Sequence, residues 1–146
     1  MGFGQAIKHV FSNYANFKGR ASRSEFWWWY LFVVIGGIII SIPLNAGITS
    51  SLNSVTVDDV TGTITGGQVS TLTQLGIILA VVWSLALLLP TLAVGCRRLH
   101  DTDRSGWWWL LYYFCCIVGA IVVIIFWIGP STPGPNRYGD GPATGS

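Results

Sequence analysis

From Phe26 to Ile48 the chain carries no charged side chain, and the same is true of Leu75 to Gly95 and of Trp107 to Ile128. Each stretch exceeds 20 residues, about 30 Å of helix at 1.5 Å per residue, which is the thickness of bilayer hydrocarbon. A soluble fold of 146 residues could not hide three such segments. Only 10% of its residues are charged, against about 25% in ordinary soluble domains, which leaves too few polar side chains to cover a surface. The expected fold class is therefore all-α and integral to a membrane, a single domain 1-146 with three transmembrane helices at 26-48, 75-95 and 107-128.

The flanking segments complete that architecture. Phe3, Ile7, Val10, Phe11, Tyr14 and Phe17 recur at helical spacing. At about 100° per residue they share roughly a third of the helix surface. The spacing predicts an amphipathic interfacial helix over 3-19, lying in the membrane plane ahead of the first span. Packing on a partner or on the protein itself is the alternative. Residues 49-74 are rich in Ser, Thr and Gly, and Val55, Val57 and Ile64 suggest a small hairpin there. Residues 129-146, rich in Pro and Gly, predict a flexible, extended tail.

Basic residues orient the chain. Lys8, Lys18, Arg20 and Arg23 precede the first span, and Arg97, Arg98 and Arg104 separate the second from the third. The 49-74 loop has no Lys or Arg, and the tail has Arg137 alone. Seven against one is a positive-inside signal. It predicts a multi-pass protein of a bacterial inner (plasma) membrane, with a cytoplasmic N-terminus, an external Ser/Thr-rich loop and, if the third segment crosses, an external tail. The first 25 residues lack the apolar core and small-residue site of a cleavable signal peptide.

Six tryptophans form two triplets, Trp27, Trp28, Trp29 and Trp107, Trp108, Trp109. Indoles gather at the membrane–water boundary, so both triplets are expected there as interfacial aromatics. Arg23-Ser24 and Arg104-Ser105 precede the two triplets, an internal echo in which Ser would cap a helix and Arg would reach lipid phosphate. Cys96, Cys115 and Cys116 have no metal-ligand spacing and read as small apolar residues.

The polar groups on the expected cytoplasmic face are Arg20, Arg23, Glu25, Arg97, Arg98, His100, Asp101, Asp103 and Arg104. They compose either an ion-pair network joining helix ends or a face for an anionic headgroup or a protein partner, since Arg forks suit phosphate. Catalysis has little support. His100 and Asp101 are adjacent, about 100° apart on a helix, and no nucleophile is tied to them. No metal site, cofactor loop or nucleic-acid motif is present, and a net charge of +2 adds nothing to the last. The spans contain none of the ionisable residues that mark ion paths, so a channel or transporter would require a homo-oligomer.

Three motifs together resemble a known family. Gly19-Arg20-Ala21-Ser22-Arg23-Ser24-Glu25-Phe26-Trp27, then Arg97-Arg98-Leu99-His100-Asp101 with Ser105-Gly106-Trp107-Trp108, then Gly134-Pro135-Asn136-Arg137-Tyr138-Gly139 are similar to the signature of the domain of unknown function 805. That resemblance spans nearly the whole chain and implies a small bacterial inner-membrane protein with no assigned activity. Two departures from the family pattern are the long 49-74 loop and Cys115-Cys116, where the family often carries proline. The expected role is non-enzymatic, with the Arg-rich face organising membrane lipids or a partner. The alternatives are an oligomeric channel or transporter subunit and, third, an enzyme acting on a lipid phosphate.

Overall fold

A computed structural model describes residues 1–109 and 116–141. Helix α1 covers Phe3–Ser12, α2 Arg23–Asn53, α3 Thr71–Asp101 and α4 Cys116–Ile128; β1 (Thr56–Val57) and β2 (Ile64–Thr65) form an antiparallel hairpin between α2 and α3. The two long helices thus extend beyond their apolar stretches at both ends. Local capping sets the boundaries. Ser22 Oγ accepts the Glu25 backbone N–H at 3.2 Å, opening α2, and Ser70 Oγ does the same for Thr73 at the start of α3. The capping serine of α2 is therefore Ser22, one turn ahead of the tryptophans, and not Ser24. Helix α3 stops in a Schellman turn. Arg104 N–H bonds the Leu99 carbonyl and Asp103 N–H bonds that of His100, with Asp103 in the left-handed region at φ 56°.

The chain divides into two compact units, residues Val33–Ala86 and the remainder. In the first unit, α2 and α3 run antiparallel at close range. Trp83 packs where a Cβ on Gly36 would stand, and the Leu44 backbone lies at 2.7 Å from the Cβ position of Gly76. Ile38, Ile39, Ile42, Val82 and Leu85 are exposed. Only 6% of the apolar window of α2 and 22% of that of α3 are buried within the protein, whereas a soluble core helix would be mostly covered. Such surfaces suit lipid tails. The hairpin expected from Val55, Val57 and Ile64 is present, with the Thr56 and Thr65 hydroxyls 2.9 Å apart across it.

The second unit holds the remaining elements. Ala6 and Val10 of α1 are fully buried. Phe3 meets Trp28 edge-on at 5.7 Å and Phe11 meets Trp29 at 5.2 Å. The helix expected over 3-19 ends at Ser12, and it packs on the start of α2 rather than presenting its whole apolar face outward. Trp29, Trp109 and Trp127 are buried, together with Val94 and Leu99 of α3.

Two expectations are corrected here. Trp109 and Trp127 are eighteen residues apart, yet their ring centroids lie 5.0 Å from each other. In one straight helix they would be separated by about 27 Å. The described parts of the segment 107-128 therefore do not lie on one straight helix. Part of that expected span, residues 110–115 with Cys115, lies outside the described residues, as do 142–146. Nor is the tail free as far as Gly141, because residues 129–136 are bonded to Arg20, Arg98 and Asp101, as set out below.

Candidate functional site

Asp101, the last residue of α3, is fully buried and gathers three donors. Its Oδ1 accepts Arg20 Nε at 2.9 Å, while Oδ2 accepts Arg98 Nη1 and the Ser131 hydroxyl. The arginines then hold the tail. Arg20 donates to the carbonyls of Gly134 at 2.6 Å and Thr132 at 2.7 Å. Arg98 donates to those of Trp127 at 3.0 Å and of Gly129. The strap closes the circuit through its backbone, since Thr132 N–H bonds the Asp101 carbonyl at 3.0 Å and Asn136 Nδ2 bonds that of His100 at 2.9 Å. A planar guanidinium with five donors in a fixed fork can bridge a carboxylate and two carbonyls; an ammonium could not reach all three.

A second pair sits beside it. Arg97 Nη2 and Glu25 Oε1 are 3.0 Å apart with both side chains 3% exposed, and His9 Nδ1 reaches the same oxygen at 3.0 Å. Arg97 Nε finds no acceptor among the described residues. Three buried arginines therefore face two buried carboxylates, a surplus of one positive charge. His100 turns away from Asp101. Its Nδ1 lies 3.3 Å from the Gly19 carbonyl and its ring stacks on Tyr138 with centroids 4.0 Å apart. Beyond the apolar stretch 75-95, burial pushes the His100 pKa below its ordinary value and raises the Cys96 thiol to about 11.

The candidate residues thus separate into two groups. Arg20, Glu25, Arg97, Arg98 and Asp101 are interior and bonded to the protein itself. Arg23 and Arg104 are exposed, and neither is paired with a carboxylate among the described residues. Arg23 donates to the Ile128 carbonyl, and Arg104 lies 3.6 Å over the Phe126 ring. The triplets divide as well. Trp27, Trp28, Trp107 and Trp108 are exposed, but Trp29 and Trp109 are 1% and 8% exposed and pack inside the protein. Three consecutive helical residues fan over about 200°, so one of them must face inward. Trp29 accordingly donates its indole N–H to Thr91 Oγ1 at 3.1 Å.

The sequence places Asn136 and Arg137 in a motif apart from this face and does not single out Ser131 or Thr132. Arg137 instead pairs with Asp103 at 3.1 Å on the surface. The signal was the Gly134–Gly139 motif, which acquires a meaning once the tail folds back. Two cavities adjoin the cluster. One of about 350 Å³ lies among Phe26, Trp27, Tyr30, Trp109 and Trp127. A shallower one of about 420 Å³ is bordered by Phe17, Cys96, His100 and Trp107.

Comparison with known proteins supplies the context. A family model described as protein of unknown function (DUF805) matches residues 14–140. The inner membrane protein YhaI of Escherichia coli is 38% identical over 138 residues, covering 94% of each chain. The inner membrane protein YhaH of the same bacterium is 33% identical over 133 residues, covering 91% of this chain and 92% of its own. No solved structure matches.

Proposed function

This chain belongs to the DUF805 family of proteins of unknown function, and we propose that it is a non-enzymatic organiser of anionic lipid headgroups at the cytoplasmic face of the bacterial inner membrane. The observation that carries this reading is the folded-back tail. It pairs Arg137 with Asp103 in the compact unit that also holds Lys8, Lys18, Arg20, Arg23, Arg97, Arg98 and Arg104, so that all eight basic residues of the chain belong to that unit and none to the 49-74 loop. An eight-to-none bias strengthens the positive-inside assignment. In this reading α2 and α3 cross the bilayer, and the segment 107-128 enters from the cytoplasmic side and returns to it. A re-entrant segment must find partners for its backbone within the protein, and Arg98 and Arg23 supply them to the Trp127, Gly129 and Ile128 carbonyls.

Arg20 and Arg98 hold the strap, Arg97 pairs with Glu25, and the outer arginines are left for ligands. Arg23 and Arg104, among the exposed Trp27, Trp28, Trp107 and Trp108, have the sign and the setting for phosphate at the membrane boundary. Two measurements test the proposal. A reporter fused after Ser146 is expected to be active only in its cytoplasmic form; external activity would remove the topology. Native mass spectrometry of the purified protein should show phosphatidylglycerol retained over phosphatidylcholine, with the preference lost in the Arg23→Ala/Arg104→Ala double variant. Equal retention of both lipids would refute the headgroup role.

A further inference from the structure

The cavity of about 350 Å³ lies where α2, α3 and the two ends of the 107–128 segment meet, and its size is in the range of small-molecule sites, about 300–1,000 Å³. Its walls are almost wholly apolar. Buried Phe26, Trp29, Trp109 and Trp127 close its back, while half-exposed Trp27 and Tyr30 stand at its mouth. Water has few polar partners there. Left empty, the large aromatic faces would forgo dispersion contacts.

The mouth carries a charge. Arg23, Trp27 and Tyr30 follow one another at i, i+4 and i+7, on a single face of α2. The Arg23 side chain also reaches the Ile128 carbonyl, one turn of α4 beyond Ile124, which lines the cavity. An exposed guanidinium therefore shares a helix face with two residues that line an apolar slot, with one N–H given to Ile128 and, among the described residues, no carboxylate paired with the others. That is the outline of an amphiphile with an anionic head and a hydrocarbon tail.

We infer that the cavity seats one acyl chain of an anionic glycerophospholipid whose phosphate is held by Arg23. The inference rests on the headgroup reading above and adds to it a defined position for the chain. The intact protein is reconstituted in vesicles of phosphatidylcholine and phosphatidylglycerol, doped with either lipid carrying a diazirine in mid-chain. After photolysis, crosslinked peptides are mapped by mass spectrometry. Phosphatidylglycerol crosslinks are expected to concentrate on Trp27, Tyr30 and Ile124 and to exceed those on the exposed residues Ile38, Ile42 and Leu85. Arg23→Gln should reduce this excess about tenfold, the effect of losing one charge-assisted hydrogen bond. Ile124→Trp, which fills the slot, should abolish it.

Crosslinks spread evenly over Ile38, Ile42, Leu85 and the cavity residues, with phosphatidylglycerol still co-purifying preferentially, would overturn the chain seat and leave the headgroup reading standing. Loss of that preference as well would overturn both. Equal cavity labelling by phosphatidylcholine would overturn the assignment to an anionic lipid. Displacement by an equimolar free fatty acid would overturn the assignment to a phospholipid. The wild-type pattern decides the matter even if Ile124→Trp fails to fold.

Discussion

Replacing Asp101 by Asn keeps the shape of the side chain and removes its charge, at the one carboxylate to which both Arg20 and Arg98 are bonded. All three side chains are at most 1% exposed. The substitution leaves two guanidinium groups inside the protein with uncharged acceptors alone. It also turns an amide N–H₂ toward one of the donors it formerly accepted. Breaking a buried ion pair from one side costs about 3–5 kcal/mol. For a chain of this length, 1 kcal/mol corresponds to a few degrees in melting temperature, so Asp101→Asn is expected to lower it by about 10 °C or more. The assay is thermal unfolding in detergent followed by intrinsic fluorescence, for which eight tryptophans give ample signal. Asp103 provides an internal control two residues away. Its pair with Arg137 is 46% and 61% exposed, and exposed pairs contribute about 0–1 kcal/mol. Asp103→Asn should melt within a few degrees of the parent. If the two variants shift alike, burial does not govern the cluster and the strap is not held as described.

Ser22→Ala removes the acceptor for the Glu25 N–H and should cost about 1 kcal/mol, read in the same melt. Gly95→Val places a side chain where the Trp109 indole packs; overpacking of this kind costs about 1–3 kcal/mol and should weaken the Trp109–Trp127 contact, visible as a shift in tryptophan emission. The His100 pKa is lowered by burial first, with Arg137 acting the same way and the Gly19 carbonyl opposing. The unfolded chain therefore binds the proton more readily. The stability this group contributes is complete above its ordinary value of 6.5 and falls as the pH drops from there through the lower folded value. Melting temperature should accordingly decline below pH 6.5, and less steeply in His100→Gln.

Much of the architecture is local chemistry and was legible without coordinates. The uncharged runs of 26-48 and 75-95 dictate long helices, because in hydrocarbon only a helix satisfies a single segment's backbone hydrogen bonds within itself. Serine caps and helical periodicity set where such helices begin. The hairpin in the 49-74 loop was also legible from Val55, Val57 and Ile64. Even the membership of the charged cluster could be listed from position along the chain.

What the pattern could not say is which charges turn inward. Arg97 and Arg98 are neighbours of equal hydropathy and both are buried, while Arg23 and Arg104 stay outside, and only packing against Asp101, Glu25 and the strap distinguishes them. The third segment shows the same limit. Hydropathy sums composition along a window and carries no direction, so Trp107 to Ile128 reads identically whether it crosses or doubles back. Where its described ends lie is decided by contacts between residues far apart in sequence: Trp109 on Trp127, Arg98 on the Trp127 and Gly129 carbonyls, Arg20 on Thr132 and Gly134. Those bonds require three separate motifs to meet at one point, and a buried guanidinium is stable only where its acceptors are already assembled around it.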